Sequence, residues 1–471
     1  MAQEKGYKTK TLIVRETDLK TPGAFGYKVR INSNGIKKQI AKQKSAVIPD
    51  GRDAARPYKD FPETKGALPV PVDAHEIGIH LGHLLGDPVS TVVAAKALDN
   101  AAVRNVGSGK VGIPCTGHGL AKGAPVVIDG TSNYDGAYIL APETTANELV
   151  VLATYAAETV SSSDTCTLAS QVTLSAGNVR NVASGLVGLP ALGHGLPVGA
   201  EITVAGTTNY DGTFMIEKGS SANEIIIADT YVSETLAGDE TATARFYDHV
   251  FTVQDEMESF ASEKAFPTLG RYARTRGIKI NGLSMELGGS GELTANLDLV
   301  CCIEEYKDKS LDVDPVSLPF VRFNKLESTV REGGVTRTGR ITALSLSINT
   351  NLDATQHTID GDGINPGTGE LGDLPEGDME VTGSLTALLK DTALMDRAEL
   401  DTVAPIEVFF INGGYRLFLE FEETELDVNT PDVADAKGLK ETYNWRAFKD
   451  VGANQSSVKA TLRNNIKTYW E

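Results

Sequence analysis

A tandem repeat constrains the fold of this chain more than any other feature of its sequence. The segment VRNVGSGKVGIPCTGHGL, which begins at Val103, returns without gaps as VRNVASGLVGLPALGHGL at Val179, 76 residues later. The tetrads GHGL and NYDG recur at the same offset. Self-similarity at a fixed period indicates two copies of one supersecondary unit, and we place these copies at residues 91–166 and 167–245.

Each copy has the composition of a small all-β module. Short β-branched runs, such as VVI and LVV in the first copy and ITV and III in the second, alternate with clusters of Gly, Asn, Asp and Pro. This pattern is typical of short strands joined by turns, and it requires no helix. The NYDG tetrads, which contain Asp135 and Asp211, are predicted to be turns because Asp and Gly tolerate a positive φ.

The repeated histidines, His118 and His194, allow two interpretations. Imidazole is a common metal ligand and general base near neutral pH, so GHGL could mark a functional site. Neither copy places a second His, a Cys or a suitably spaced carboxylate nearby, and Cys115 of the first copy is Ala191 in the second. Because a metal site needs several such ligands, we predict structural turn positions, with no metal and no cofactor.

The flanks on either side of the repeat are predicted to form one discontinuous domain, residues 1–90 and 246–471. A unit inserted at a surface loop costs little chain entropy when its ends lie close together. Alternating apolar and polar residues in the flanks predict strands at 11–15, 26–31, 250–253, 257–261, 277–287, 292–300, 318–326, 339–350, 380–388, 406–411, 415–422, 441–448 and 457–462. Short helices are predicted at 76–85 and 391–400, and long loops at 34–71 and 360–378. The expected fold class is mainly β.

Composition and motifs argue against several functions. The formal net charge of −19 and pI of about 4.9 work against binding DNA, because such binding depends on Lys and Arg. No P-loop, dinucleotide fingerprint, HExxH, CxxC pair or nucleophile elbow occurs, so no enzyme is predicted. Four cysteines are too few for a disulfide scaffold of this size, and adjacent Cys301 and Cys302 would point to opposite faces of a strand.

Two further clusters resemble metal sites but have simpler interpretations. His80 and His83 share one face of the first predicted helix with Glu76 nearby; a polar helix surface is the favoured reading over a metal site. The acidic loop at 360–378 suggests calcium, yet Ile364 and Asn365 occupy positions that need an oxygen ligand and a glycine. A solvated acidic loop is therefore predicted.

In their order of elements, the flanks resemble a bacteriophage tail tube protein. The resemblance rests on a first strand that ends in RET, a short LGHLLG helix, a strand pair after FPTLGRY, the long hairpin GLSMELGGSGELTANLDL, the segment EVTGSLTALLKD and a final VKATLRNN strand. The inserted copies resemble a small β-barrel module of phage structural proteins through GHGL and NYDG. The resemblance implies a virion tail protein, made in the host cytoplasm.

The resemblance also implies how the chain would assemble. Six subunits would close a ring, with strands 277–287 and 292–300 joined edge to edge between neighbours; the ends of these strands are Gly277, Leu287, Glu292 and Val300. Rings would stack, with the N-terminal strand or segment 34–71 as a strap between them. Lumen-facing carboxylates would keep passing DNA from sticking; the candidates are Glu286, Glu292 and Asp298.

The expected partners are other copies of the chain, other tail proteins at the tube ends, and DNA that passes without specific binding. The repeats would project outside the tube as decoration, for lateral stabilisation, or for weak adhesion to cell-surface glycans. The alternatives are a carbohydrate-binding adhesin or another structural tail component. The adhesin needs aromatic platforms, and the tyrosines of the repeats, such as Tyr134 and Tyr210, have spacings more typical of a core.

Overall fold

The computed structural model describes residues 3–48, 52–183, 185–337, 339–361, 367–431, 433, 438–449 and 456–470. Strands dominate these residues, and the helices are short. The predicted mainly-β fold class is therefore confirmed. Within the described residues, no helix is long and apolar enough to cross a membrane.

The flank before the repeat contributes five strands and one helix. In chain order they are β1 (Lys10–Asp18), β2 (Thr21–Val29), β3 (Lys37–Gln43), β4 (Tyr58–Pro71), α1 (Glu76–Leu85) and β5 (Val89–Val92). β3 and β4 pair as an antiparallel hairpin, so the predicted loop at 34–71 is wrong. Almost every residue of β3 is exposed. Its sequence therefore lacks the apolar alternation that would have indicated a strand.

The repeat region contributes only short strands. They are β6 (Lys96–Ala97), β7 (Arg104–Gly107), β8 (Lys110–Pro114), β9 (Pro125–Asp129), β10 (Gly136–Ile139), β11 (Glu148–Leu152), β12 (Thr165–Thr173), β13 (Gly177–Asn178), β14 (Arg180–Ala183), β15 (Leu186–Pro190), β16 (Glu201–Ala205), β17 (Gly212–Met215), β18 (Glu224–Ala228), β19 (Thr235–Leu236) and β20 (Thr241–Arg245). The two copies have separate apolar clusters.

The second flank completes the chain. It contains β21 (Tyr247–Thr252), β22 (Phe260–Phe266), β23 (Arg271–Leu287), β24 (Thr294–Lys307), β25 (Ser328–Glu332), β26 (Val335–Thr336), β27 (Ile341–Asn349), β28 (Glu380–Leu388), α2 (Ala393–Glu399), β29 (Ala404–Asn412), β30 (Tyr415–Leu426), β31 (Lys440–Phe448) and β32 (Lys459–Asn464). The predicted strand at 318–326 is wrong. Its apolar side chains Leu318 and Phe323 are buried, but its backbone makes only scattered bonds to the chain after β4.

The strands of the two flanks form one branched antiparallel sheet. β23 pairs with β24 along one edge, and along its other edge it pairs first with β22 and then with β27. β30 likewise pairs with β29 along one edge and with β32 and then β31 along the other. These two long strands each serve two parts of the sheet, which folds over into two layers.

The core lies between the two layers. One layer consists of β4, β24, β23, β27, β28 and β31, and the other of β5, β21, β32, β30, β29 and β25. Leu283 and Ile348 of the first layer and Leu417 and Phe421 of the second line one small apolar space together with Leu81 of α1. Burial of these side chains is the main force that stabilises the fold.

Every residue of helix α1 is buried, so the prediction of a polar helix surface is wrong. His83 contacts Phe260 and Trp470, with ring centroids 4.6 and 5.2 Å apart. Both ring nitrogens of His80 are buried without a hydrogen-bond partner. Burial lowers the pKa of His80 to about 4 and that of His83 to about 3. Both imidazoles are thus held neutral inside the core.

One strand connects the two copies of the repeat. β12 pairs with β9 through Thr165–Leu168 and with β20 through Ala169–Thr173, so its partners change at 168/169 rather than at the predicted boundary 166/167. The strand register repeats with the same offset as the sequence. In the first copy Ala97 lies opposite Thr165, and in the second copy Thr173 lies opposite Thr241. The last strand of the first copy therefore continues as the first strand of the second, with no linker between them.

The cysteines are buried as predicted, whereas the prediction of a solvated loop at 360–378 is only partly right, because Leu371 and Leu374 are buried. All four cysteines are free and buried. Cys301 belongs to the main core, whereas Cys302 packs on the opposite face of β24 against Leu371 and Leu374. The described part of 360–378 forms no strand; Ile364 and Asn365 lie outside the described residues.

The burial of His80 in α1 leads to a prediction about acid stability. The unfolded imidazole has a pKa of about 6.5, so on acidification the unfolded chain takes up the proton before folded His80 does. His80 therefore contributes stability that is complete above about pH 6.5 and is lost as the pH falls towards 4. Between pH 7 and 4.5 this loss is about 2–3 kcal/mol. We expect His80→Leu to remove it, as measured by urea unfolding at both pH values.

The control is His357→Leu, which removes a half-buried histidine outside α1. This variant should lose stability on acidification as the unsubstituted protein does. If His80→Leu also kept the full difference between the two pH values, the imidazole in the core would not be the source of the acid sensitivity.

Candidate functional site

A continuous polar face covers the side of the first layer that points away from the core. Antiparallel pairing places alternate residues of adjacent strands side by side. The rows that cross β24, β23, β27, β28 and β31 are Asp298–Gly282–Asn349–Glu380, Asn296–Ser284–Ser347–Thr382–Arg446 and, from β23 onward, Glu286–Ser345–Ser384–Asn444. The residues between these rows, such as Leu283 and Leu385, are buried in the core.

Short hydroxyl side chains dominate this polar face, and they bond to one another. The hydroxyls of Ser345 and Ser384 lie 2.8 Å apart, and those of Thr386 and Thr442 lie 3.0 Å apart. Such side chains carry no charge and leave a smooth surface. The polar face presents no nucleophile with a base beside it. Among the described residues, no cluster of metal ligands occurs either.

The structure separates the three predicted lumen residues. Glu286 and Asp298 are exposed on the polar face, and neither forms an ion pair with a described residue. Glu292 lies in the turn between β23 and β24, where its carboxylate is 2.8 Å from Arg322. It was predicted to begin the second strand, which instead begins at Thr294.

The predicted ring-contact strands are longer than expected and lie inside the sheet. β23 begins at Arg271 rather than Gly277, and β24 continues past Val300 to Lys307. β23 is paired along both edges, and β24 pairs with β4 as far as Cys301. The expectation that Gly277–Leu287 and Glu292–Val300 join neighbouring subunits edge to edge needs correction, because those edges are already used within the chain.

The histidines of the repeats are held by backbone atoms. In the first copy, Nδ1 of His118 accepts a hydrogen bond from the N–H of Leu120 at 3.0 Å, and Nε2 lies 2.6 Å from the carbonyl oxygen of Thr145. His194 makes the equivalent contacts with Leu196 and Ser221 at 3.1 and 2.7 Å. Because both ring nitrogens of each histidine contact backbone atoms, these side chains stabilise turns, and neither nitrogen is free to bind a metal.

The NYDG segments also form bonded turns. Asp135 accepts hydrogen bonds from the N–H and hydroxyl of Thr131 at 2.7 and 2.8 Å, and Asp211 does the same with Thr207 at 2.8 Å. Each segment connects two strands of a hairpin, β9 to β10 or β16 to β17. Its tyrosine is buried in the core of its own copy.

The repeat region rests on the second layer of the flanks. Phe246 belongs to the apolar cluster of the first copy, and Tyr415 packs against it at 5.2 Å between ring centroids. In the second copy, Glu201 is 2.5 Å from Lys467, which follows β32 of the second layer, and Lys218 is 2.6 Å from Asp312 in the loop after β24. Both copies therefore contact the face opposite to the polar face.

The comparison with protein families is decisive for the class of this protein. The model of the phage tail tube protein family matches residues 6–447. The chain belongs to this family. It is thus a structural component of the virion tail, and no enzymatic activity is implied. No curated protein matches the chain.

Most of the polar face of this tail tube protein is not evident from local sequence patterns. The serines and threonines of β27, β28 and β31 were assigned to strands but not to a common surface. The signal is present in the alternation of SLS, SLT and TYN around buried residues such as Leu346, Leu385 and Tyr443. Only the strand order, which the sequence does not state, brings the three segments side by side.

The turn between β29 and β30 generates a prediction about how the first copy docks. A Cβ built on Gly413 would lie 2.9 Å from the carbonyl oxygen of Gly123, whereas one built on Gly333 meets nothing within 4 Å. Both glycines begin Gly-Gly turns, with φ of +58° and +60°, so alanine is strained alike in each. Gly413→Ala should therefore destabilise the protein by about 1–3 kcal/mol more than Gly333→Ala, measured by urea unfolding.

Equal losses for the two variants would mean that the repeat does not rest on this turn. Limited proteolysis gives a second readout, because a loosened contact should speed cleavage near Gly123 in the Gly413→Ala variant only.

Proposed function

We propose that this tail tube protein forms hexameric rings that stack into a tube, and that the polar face of the first layer lines the lumen through which DNA passes. The observation that carries the proposal is the face itself: rows of Ser, Thr, Asn and carboxylate side chains across five adjacent strands. A polar outer face is common on antiparallel sheets. The width of this face and its excess of carboxylates suit a tube that conducts DNA.

The charge of the polar face suits a passing polyanion. Its rows carry the carboxylates of Glu286, Asp298 and Glu380, against the single guanidinium of Arg446. Proteins bind DNA chiefly by neutralising phosphates with Lys and Arg. A face with an excess of carboxylates repels the phosphates weakly along its whole length, so DNA finds no place at which to stop.

Ring contacts would use the strands at the two ends of the polar-faced sheet. These are β3, which pairs only with β4 among the described strands, and β31, which pairs with β28 along its length and with β30 only over residues 445–448. An unpaired edge is a ready template for another chain. Closure of a ring would satisfy both edges, which is how symmetric assemblies avoid open growth.

The hairpin of β3 and β4 is proposed to reach a neighbouring copy, either within the ring through the free edge of β3 or in the next ring as a strap. Segment 34–71 contains eight Lys and Arg residues against four Asp and Glu, in a chain of net charge −19. The apolar residues Ile40, Tyr58 and Phe61 are about half exposed on it. A basic hairpin with exposed apolar side chains is complementary to an acidic neighbouring copy.

The repeats are proposed to form two modules, 91–168 and 169–245, inserted in the tube domain and carried on the outside. They rest on the layer opposite to the polar face and so would not obstruct the lumen. A carbohydrate-binding role through aromatic stacking gains little support, because the hydroxyls of Tyr134 and Tyr210 are bonded to backbone atoms and their rings are buried. Decoration or lateral stabilisation fits the contacts better.

Assembly and lumen exposure can be tested with engineered cysteines. All native cysteines are buried, and burial raises the pKa of Cys115 to about 11 and that of Cys166 to about 12, so they react slowly. Ser347→Cys places a thiol on the exposed polar face, and Thr203→Cys places one on the exposed surface of the second copy. In tubes seen by electron microscopy, we expect a bulky polyethylene-glycol maleimide to modify Thr203→Cys but not Ser347→Cys.

Unassembled protein is the control, since both thiols should react there, and a small maleimide should reach both in the tube. The lumen assignment would be wrong if Ser347→Cys reacted with the bulky reagent in tubes as fast as Thr203→Cys. A protein that stays monomeric at high concentration would contradict the tube itself.

Reversal of charge on the polar face should create DNA binding. The variant Glu286→Lys with Asp298→Lys adds two cations to the proposed lumen, so assembled tubes should retain short DNA at low salt and release it as salt rises. The matched control, Asp129→Lys with Asp239→Lys, makes the same charge change on exposed residues of the repeats. If both variants bound DNA equally in a filter or cosedimentation assay, charge alone and not the lumen would explain the binding.

A further inference from the structure

A cleft lies between the first copy of the repeat and the second layer of the flanks. Its volume is about 330 Å³, at the lower end of the range for small-ligand sites. The turn of His118, strand β12 and the chain around Val93 form one wall. Arg416, Arg463 and Asp248, on the outer face of β30, β32 and β21, form the other.

The cleft contains more cationic than anionic side chains. Lys96, Arg416 and Arg463 line it, with Asp248 as its one carboxylate. Arg463 forms a bidentate ion pair with Asp248, with both N–O distances 2.7 Å. Among the described residues, no carboxylate forms an ion pair with Arg416 or Lys96. This excess stands out in a protein of net charge −19.

Arg416 is held in place without an anionic partner. Its guanidinium stacks on Phe418 and Phe409, at 4.8 and 5.5 Å from the ring centroids, and those two rings stack on each other at 4.0 Å. Its Nε is buried with no hydrogen-bond partner. Burial, and then the charge of Arg463, lower the pKa of Arg416. An anion in the cleft would offset the repulsion between the two guanidinium groups and could accept hydrogen bonds from Arg416.

The second copy of the repeat provides an internal comparison. Its equivalent turn, around His194, faces another cleft of about 630 Å³ whose cations are Arg30 and Lys218. There Arg30 is paired with Glu76, and Lys218 with Asp312. The same turn borders both clefts, but among the described residues only the first cleft has unpaired cations. These are Arg416 of the flanks and Lys96 of β6, so they are not a general property of the repeat.

We propose that the first cleft binds a single anionic group, a carboxylate or phosphate, carried by a sugar or present as the free ion. Arg416 and Lys96 supply the charge, and Arg416, pre-positioned on two aromatic rings, supplies directed N–H donors. Guanidinium groups suit planar, bidentate recognition of such anions. Leu120, which is partly exposed in the wall of the cleft, offers an apolar contact to a sugar ring. The binding would not depend on tube assembly.

Isothermal titration of the full chain at constant ionic strength tests the proposal. The probes are inorganic phosphate, glucose 1-phosphate, glucuronic acid and neutral glucose. We expect at least one anion to bind and glucose not to bind. Tighter binding of glucose 1-phosphate or glucuronic acid than of phosphate would identify a sugar-borne anion, whereas equal binding of both phosphates would identify the free ion. If no anionic probe bound, the proposal would be overturned.

Two matched variants locate the binding. Arg416→Met keeps an apolar stem on the rings of Phe409 and Phe418 but removes the charge, and affinity should fall about tenfold or more. Arg331→Met makes the same change at an arginine that stacks on Phe409, 5.1 Å from its centroid, and does not line the cleft. Its affinity should stay within about twofold. Equal losses in both variants would mean that binding is non-specific.

A third variant tests the site independently in case Arg416→Met does not fold. Lys96→Gln changes an exposed residue of β6, and Lys122→Gln is its control on the same copy, outside the cleft. Lys96→Gln should weaken anion binding several-fold, and Lys122→Gln should leave it unchanged. If circular dichroism showed Arg416→Met to be unfolded and Lys96→Gln kept its full affinity, the assignment of the site would be overturned.

Discussion

The fold depends on the point at which β23 changes partners. At Gly277 the register of β23 with β22 is interrupted; this pairing ends at Ile278, and β23 joins β27 from Gly282 onward. The backbone at Gly277 has a φ of +61°, and a Cβ would lie 2.7 Å from the sulfur of Cys302, so only glycine fits without strain. The buried carboxylate of Glu16 accepts hydrogen bonds from the N–H groups of Gly277 and Lys20, both at 2.9 Å, and from the hydroxyl of Ser259 at 2.6 Å. One carboxylate thus fixes the branch of the sheet.

The branch explains why the molecule has one polar and one apolar face on its first layer. Because β23 changes partners, its C-terminal half pairs with β24 and β27 in the first layer, while its N-terminal half pairs with β24 and β22. Alternation along each strand then sorts the side chains: leucines, isoleucines and Met285 go to the core, and serines, threonines and carboxylates go outward. A slip of one residue in the register would move the apolar side chains to the outer face and the polar ones to the core. The register near Gly277 therefore maintains both faces.

The sequence predicted the parts of this design that depend on local alternation. The hairpin of β23 and β24 was found because apolar residues alternate cleanly after Gly277. The segment before Gly277 precedes the clean alternation and was left out of the predicted strand; in the structure its Arg274 and Arg276 pair with Glu263 and Glu305 across neighbouring strands. Burial of α1 was also missed, since His80 and His83 are polar by type and only the surrounding layers make them core residues. Strand order, which creates the polar face, depends on contacts between distant segments and has no local signal.

The repeats follow the same logic on a smaller scale. Their offset of 76 residues predicted two copies and the turns around His118 and His194, because each copy repeats its own local contacts. It did not predict that β12 would serve both copies, since a shared strand belongs to neither repeat alone. β12 runs through both copies, and each copy contacts the flanks.

The proposed lumen and the proposed anion cleft make opposite electrostatic demands on one chain. The lumen requires an excess of carboxylates, whereas the cleft requires unpaired cations. Two packed sheets are about 10 Å apart, and at physiological salt the Debye length is about 8 Å, so through solvent each surface is largely screened from the other. The two-layer fold therefore allows an acidic inner face and a basic outer cleft to coexist. Had the repeat docked beside the polar face, its cations would have lain where DNA passes, and each function would have weakened the other.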